Sequence, residues 1–408
     1  MIAPLIILFA ILSPLLDWYI YKHTPFTGKR WFRVLYPVHV VLLGISIVAA
    51  LVFYRHFSNA GSPYPLQVIL WVIVAFFLVL IPKLVYTVFS FFDYPLQWKL
   101  KRHVRIFKRI GIICAFAAFG LMVWGITAGR NIIEIKEIEL ESDKLPESFD
   151  GYRIAFFTDM HLGNLRPRST LPDRVARKIN ELDPDIVVNG GDLVNTDARE
   201  LNGRYMGMLG KIRAKDGIFS VLGNHDLGIY IRRSGDFTQE ESLRLLAGKY
   251  GELGWRLMRN ETVHIKRGND SIAISGINYP EDHRLNTSVR NFGDVDYGMT
   301  YAGVSDSVYN IMISHTPDTW DDILAYGISD LTLSGHVHAM QMKLGFGDKV
   351  WSPARLMYKR WTGLYTEQGK HLYINDGLGY VMFPMRVNVY PEITLIVLRS
   401  TAKKADEN

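Results

Sequence analysis

The first 130 residues alternate long apolar runs with short polar breaks. Four runs reach spanning length: Ile2 to Tyr21, Val34 to Tyr54, Leu66 to Phe91 and Ile110 to Thr127. A hydrocarbon core of ~30 Å takes about 20 helical residues, so each run predicts one transmembrane helix. Aromatic residues gather at the run ends (Trp18, Tyr19, Tyr21, Trp31, Tyr54), where amphipathic rings favour the membrane interface. A buried core helix explains any single run, but four in series with short polar loops favour a membrane section. From Asn131 onward the runs shorten and begin to alternate between two periods. Alternating or continuous apolar segments predict strands at Ile132 to Leu140, Tyr152 to Thr158, Asp185 to Asn189, Ile218 to Leu222, Val263 to Lys266 and Ser271 to Ile277. Further strands are predicted at Val308 to Ser314, Asp330 to Leu333, Leu372 to Asn375 and Glu392 to Leu398. Helical spacing appears at Leu171 to Leu182, Asn202 to Arg213 and Glu240 to Tyr250, and Asn286 to Val304 reads as a surface loop. The predicted organisation is a four-helix membrane domain over 1–130, a layered α/β domain over 131–400, and a polar tail over 401–408.

Charge sharpens this division. Of the net +6, residues 1–130 carry thirteen Lys and Arg against two acids, Asp17 and Asp93, whereas the remainder holds 33 basic and 38 acidic side chains. The larger part therefore lacks the concentrated basic footprint that nucleic-acid backbones require, and no nucleic-acid partner is expected. Cys114 is the only cysteine, which excludes an intrachain disulfide framework. Lys22, Lys29, Arg30 and Arg33 crowd the first loop, and Lys99, Lys101, Arg102, Arg105, Lys108 and Arg109 the third. The second loop has only Arg55 at its edge. By the positive-inside rule, loops one and three are cytoplasmic, and both termini with the α/β domain lie outside the cytoplasm. The first run has neither a basic leader nor a small-residue cleavage site, so it reads as a retained helix rather than a signal peptide. Lys83, inside the third run, is expected to snorkel toward the cytoplasmic interface.

The chemistry-bearing residues fall just after predicted strands, where open α/β sheets place their sites. Asp159-Met-His161 follows YRIAFFT, Gly191-Asp192 follows DIVVN, Gly223-Asn224-His225-Asp226 follows IFSVL, Ser314-His315 ends YNIMI, and Gly335-His336-Val337-His338 follows DLTL. Five of the eight histidines in this domain lie in these motifs. Neutral imidazole and carboxylate suit borderline divalent ions. A carboxylate can also bridge two cations ~3.5–4 Å apart, and Asp192 is the natural bridge. Taken singly, Asp-x-His is ordinarily a turn, Asn-His-Asp a helix cap, and His-x-His one face of a strand. Five such groups, in order and each at a strand end, point to a metal centre.

This ordered set resembles the calcineurin-like metallophosphoesterase family over roughly Arg153 to Asn375. FTDMHLGN, SHTPD and GHVHAMQ resemble its membrane-anchored bacterial branch. The resemblance implies a β-sandwich of two mixed sheets flanked by helices and two divalent ions (Mn, Fe or Zn). Asp159, His161, Asp192 and His338 would hold one ion, and Asp192, Asn224, His315 and His336 the other. His225 would protonate the leaving oxygen or steady transition-state charge, oriented by Asp226, while a metal-bridging hydroxide attacks phosphorus. Ala339 departs from the glycine usual in that branch, and its methyl group is expected to narrow the approach to the metals. Arg166 and Arg168, with Arg355 and Arg360 in the aromatic segment from Trp351 to Gly363, are candidate phosphate contacts, and that segment is expected to act as a lid.

The expected protein is a multi-pass enzyme of the plasma (inner) membrane, partnered with the bilayer. It would hydrolyse phosphate esters or pyrophosphates, with a lipid-linked or cell-envelope phosphate as substrate. Soluble extracytoplasmic nucleotides are the alternative, and an inactive receptor or scaffold is a third reading that the intact ligand set opposes. Only four residues link Thr127 to Ile132, a reach of about 14 Å, which keeps the domain near the membrane.

Overall fold

The computed structural model describes residues 2–24, 26–57, 64–166, 168–229, 237–280, 294–346 and 349–402. They fall into two compact units, residues 1–127 with 382–385, and residues 128–381 with 386 onward. In the first unit, long helices α1 (Ile2–His23), α2 (Arg30–Phe57), α3 (Tyr64–Phe91) and α5 (Ile106–Thr127) match the four apolar runs, and a short helix α4 (Asp93–Leu100) precedes α5. Among the described residues, three stretches, Arg30–Ala49, Trp71–Leu100 and Ile106–Asn131, are long and apolar enough to cross a membrane.

Lys83 does not snorkel. Its ammonium lies 2.5 Å from Asp17 Oδ1 on α1, and both side chains are buried. Tyr36 Oη of α2 donates to the same oxygen at 2.6 Å. A charge amid apolar helices is tolerated where a partner neutralises it, so a pair inside the bundle replaces a route to water. Asp93, the other acid of this section, accepts from the backbone N–H groups of Phe107 and Lys108. It thereby caps the free amides at the start of α5.

The second unit is a sandwich. Strands β1 (Glu134–Ser142), β2 (Tyr152–Phe157), β3 (Ile186–Asn189), β4 (Gly217–Ser220) and β5 (Arg256–Leu257) belong to one sheet, and β6 (Glu261–Arg267), β7 (Asp270–Gly276), β8 (Asn310–Ile313) and β9 (Leu331–Ser334) to the other. A small ribbon, β10 (Leu344–Phe346) with β11 (Lys349–Trp351), precedes β12 (Gly363–Glu367), β13 (Lys370–Ile374) and β14 (Glu392–Ser400). The two six-stranded sheets run β1-β14-β2-β3-β4-β5 and β12-β13-β9-β8-β7-β6. Each is mixed: β14 is antiparallel to β2, and β6 and β12 are antiparallel at the edges of an otherwise parallel second sheet.

The period-two alternation explains why the strands read as continuous apolar runs. Ile154, Phe156, Ile186, Val188, Ile311 and Ile313 meet between the sheets. Their neighbours Ala155, Phe157 and Val187 face the opposite way, against helices α6 (Leu171–Glu181), α7 (Gly203–Leu209) and α8 (Gln239–Glu252). On the second sheet's outer face, Met312, Leu372 and Ile374 pack on α10 (Trp320–Tyr326) through Trp320 and Ile323. Helices on both faces leave no solvated side, so polar residues are scarce in these strands. Of the expected loop at Asn286 to Val304, residues 286–293 lie outside those described. The described remainder forms a short helix, α9 (Tyr297–Thr300), capped by Asp296.

One consequence of the topology bears on the site. β1 is parallel to β14, with Glu134 opposite Glu392, and β14 is antiparallel to β2. The amino end of β1 therefore lies at the same sheet edge as the carboxyl end of β2.

Candidate metal centre

At that edge the backbone is bent to deliver side chains. Asp159, His161, Asp192, His336 and His338, five of the seven candidate ligands, have positive φ between 46° and 71°. Left-handed backbone costs an L-residue about 1–2 kcal/mol, and such strain clusters at functional sites. The loops are stitched together by Asp159 N–H to Gly191 O, His161 N–H to Asp192 O and Gly335 N–H to His315 O, at 2.9, 3.1 and 2.9 Å. Of the three glycines before ligands, only Gly191 is itself left-handed, at φ 100°. Gly223 and Gly335 serve a different need: a Cβ there would collide with the carboxylates of Asp192 and Asp159 respectively.

The candidate ligands converge in two adjoining groups. Asp159, His161 and His338 bring one ligand atom each to within 4.8 Å of one another, as do Asp192, His315 and His336. His338 Nε2 is 3.2 Å from Asp159 Oδ1 and 3.1 Å from His161 Nε2. His315 Nε2 is 3.2 Å from Asp192 Oδ2 and 3.1 Å from Asn224 Oδ1, and the latter also faces His336 Nδ1 at 2.9 Å. His161 Nε2, 3.7 Å from Asp192 Oδ2, joins the two groups through that carboxylate. Asp159 Oδ1 is buried, and among the described residues the His338 and His161 rings approach it with no well-aligned hydrogen bond, an expensive state for a carboxylate oxygen without a cation.

The electrostatics lean the same way. Burial alone would lower the His315 imidazole, yet the carboxylates of Asp192 and then Asp159 push it up to about 9. Burial, reinforced by His315, pulls His336 down to about 4. The carboxylates thus present negative charge that a proton partly balances. The residues fit a pair of divalent cations.

Neighbouring groups fix the rings. His315 Nδ1 lies 2.8 Å from Gly190 O, which can only accept, so Nδ1 carries a proton in either charge state and Nε2 faces inward, where a cation would take the place of its second proton. His225 is held the same way, by Asn195 O at 2.8 Å. This corrects the part expected of Asp226. Its carboxylate accepts from the backbone N–H groups of Val194 and Gly223, bracing two site loops instead of the His225 ring. Burial and the Asp192 charge push that carboxyl up to about 8. Tyr358 of the aromatic segment reaches the site, its Oη 3.4 Å from His336 Nε2. Sequence reasoning missed the fully buried Arg386, whose Nη2 is 3.2 Å from His338 Nδ1; it stands in no motif, and only folding brings it to the site.

The expected phosphate contacts divide. Arg360 is buried and bound to Asp321 and Glu367, so its guanidinium braces the fold and is not open to a phosphate. Arg166, Arg168 and Arg355 are exposed. Trp361 is partly buried against the core on the second sheet's outer face, while Trp351 is exposed, so the segment from Trp351 to Gly363 is only in part a free surface. Ala339 is wholly buried, with its carbonyl accepting from Ser352 Oγ at 2.6 Å, so its methyl group lines no open approach.

A helix-flanked sandwich of two mixed sheets, with Asp, Asn and His gathered at its strand ends, defines a dinuclear metallohydrolase. Residues 152–340 match the family described as "Calcineurin-like phosphoesterase", and residues 3–130 match "Probable Calcineurin-like phosphoesterase, transmembrane domain". The chain belongs to the calcineurin-like metallophosphoesterases, hydrolases with a dinuclear divalent metal centre, in a membrane-anchored form. It is 32% identical over 277 residues to "Uncharacterized metallophosphoesterase YkuE" of Bacillus subtilis, an alignment spanning 66% of this chain and 87% of that protein. It is 29% identical to the Danio rerio "Transmembrane protein with metallophosphoesterase domain", over 68% of this chain and 60% of that one. To "UDP-2,3-diacylglucosamine pyrophosphatase LpxG" of Chlamydia trachomatis it is 27% identical, over 63% and 87%.

Proposed function

We propose that this phosphoesterase hydrolyses a lipid-linked phosphate ester or pyrophosphate outside the cytoplasm. The observation that carries the reading is the convergence of seven candidate metal ligands at the sheet edge where the chain from the membrane section enters the sandwich. α5 ends at Thr127 and β1 begins at Glu134, leaving six residues between them. At full extension these reach about 20 Å, so a headgroup in the membrane plane is a nearby substrate. The likeness to a pyrophosphatase named for a diacylated sugar nucleotide supports the same substrate class. The loop charges of the helical section support an extracytoplasmic domain.

In this reading Asp159, His161 and His338 hold one ion and Asn224, His315 and His336 the other, with Asp192 facing both. When bound, the ions polarise the phosphoryl oxygens and acidify water. The chain supplies the rest. His225, its Nδ1–H donated to the Asn195 carbonyl, would give the leaving oxygen a proton from Nε2 when the ring is in its imidazolium form. Arg166 and Arg168 are placed by sequence just behind His161 to receive phosphate oxygens.

The test is hydrolysis by the full-length protein in vesicles, offered a lipid pyrophosphate or soluble nucleotides, with the same substrates added outside intact spheroplasts. The reading expects faster turnover of the lipid substrate, and activity in spheroplasts without lysis. Preference for nucleotides would replace the substrate class, and activity only after lysis would reverse the orientation.

A further inference from the structure

The rim of the metal centre carries an exposed apolar patch that hydrolysis does not require. Leu356 is 78% exposed and Met357 66%, with Met340, Leu344 and Trp351 also open to solvent. These residues are neighbours in the fold. Leu344 and Trp351 face each other across the β10–β11 ribbon, so their side chains share a face. The turn His338–Gln341 packs against the turn Pro353–Leu356, and Ser352 Oγ ties the two through the Ala339 carbonyl. The patch therefore begins two residues past His338 and continues to Tyr358, which touches His336.

Its charge is predominantly positive. From Met340 to Trp361 there are five basic residues and one acid, Asp348. Lys343 and Arg360 are held in ion pairs by Asp376 and by Asp321 with Glu367, and Lys359 lies by Asp321. Lys349 and Arg355 are exposed and form no ion pair with any described residue. Exposed Leu, Met and Trp flanked by free cations is the composition of a surface that enters the headgroup boundary of an anionic bilayer. The topology names the same occupant: β1, which follows the last span after six residues, starts at the metal-site edge of its sheet. The chain thus enters this unit at the edge that bears the patch.

We propose that Met340, Leu344, Trp351, Leu356 and Met357, with Lys349 and Arg355, form an interfacial dock that seats the metal centre on an anionic lipid surface. This deepens the reading of a lipid-linked substrate. The decisive measurement, however, needs no turnover, so it stands or fails independently of that reading. A Cys114→Ala background carries a single cysteine at Leu356→Cys, or at Asp143→Cys as control, labelled with an environment-sensitive fluorophore. Asp143 is exposed and lies just past the carboxyl end of β1, at the opposite sheet edge. The full-length protein is reconstituted in vesicles of phosphatidylcholine, or of phosphatidylcholine with one quarter phosphatidylglycerol.

The proposal expects a blue-shifted label at 356, quenched several-fold more by a lipid-borne quencher than the label at 143 and shielded from aqueous iodide. The difference should be larger with phosphatidylglycerol. Arg355→Gln with Lys349→Gln should remove that dependence on lipid charge. Two results would overturn it: equal iodide access at both positions, or shielding at 356 that follows protein concentration in detergent, which would make a second copy the occupant. As a second readout, Leu356→Ser with Met357→Ser should slow hydrolysis of a lipid-embedded ester several-fold and leave a soluble aryl ester unaffected. Equal slowing of both would also reject the dock.

Discussion

Five candidate ligands sit in left-handed backbone, and at about 1–2 kcal/mol each they hold several kcal/mol of conformational cost. The loops tolerate it because hydrogen bonds between them leave no relaxed alternative, and binding of cations would offset it. His225 is a residue of another kind: it also comes within 4.8 Å of ligand atoms of His161 and Asp192, but the Asn195 carbonyl anchors its Nδ1, and the resemblance gives it the proton-donor role instead of a ligand's. His225→Ala should keep its metal content and lose turnover by about 10²–10⁴-fold, with the loss shrinking for esters whose leaving group needs no proton. Metal analysis beside rates for a good and a poor leaving group decides this; an equal loss for both would make the role purely electrostatic. At this scale the candidate ligands were legible as Asp, Asn and His that follow apolar strands, and folding brings them together. Their supports were not: the carbonyls of Gly190 and Asn195 leave no trace in side-chain pattern, and Arg386 lies 48 residues from the His338 it touches. Arg360 misled because free and paired guanidinium groups look alike in sequence.

At the scale of elements, the membrane helices and inner strands were legible because each has one dominant period. The β10–β11 ribbon and β12 were missed because their side chains mix exposed and half-buried positions over three to five residues. α10 was missed because its seven residues offer only Trp320 and Ile323 as buried anchors. The reading of Lys83 failed for a different reason: its partner, Asp17, lies two helices earlier in the chain. Removing one member of a buried pair costs about 3–5 kcal/mol, whereas replacing both by apolar groups is often neutral. Asp17→Leu alone and Lys83→Met alone should therefore lower the melting temperature of the detergent-solubilised protein markedly, and the double replacement should recover most of the loss. Unchanged melting of the single variants would mean that the pair does not hold the helices together.

For the whole molecule, the order of elements does as much as any residue. Because β1 lies beside β14 and runs parallel to it, the strand that follows the spans enters the sandwich at its metal-site edge. An antiparallel placement would have put the tether at the far edge and the site away from it. The class of chemistry was legible in the sequence, whereas the grouping of residues 382–385 with the helical unit was not. Nor was this edge, which depends on a pairing between strands some 250 residues apart. The central claim remains that these strand ends hold two cations through a shared Asp192. The most direct measurement is elemental analysis of the purified full-length protein and of Asp192→Ala, with hydrolysis of an aryl phosphate followed before and after chelation. About two divalent ions per chain are expected, as a two-metal clamp requires, with both lost in Asp192→Ala and activity abolished by chelation and restored by metal. A metal-free protein whose hydrolysis survives chelation, or an Asp192→Ala variant that retains both ions, would contradict it.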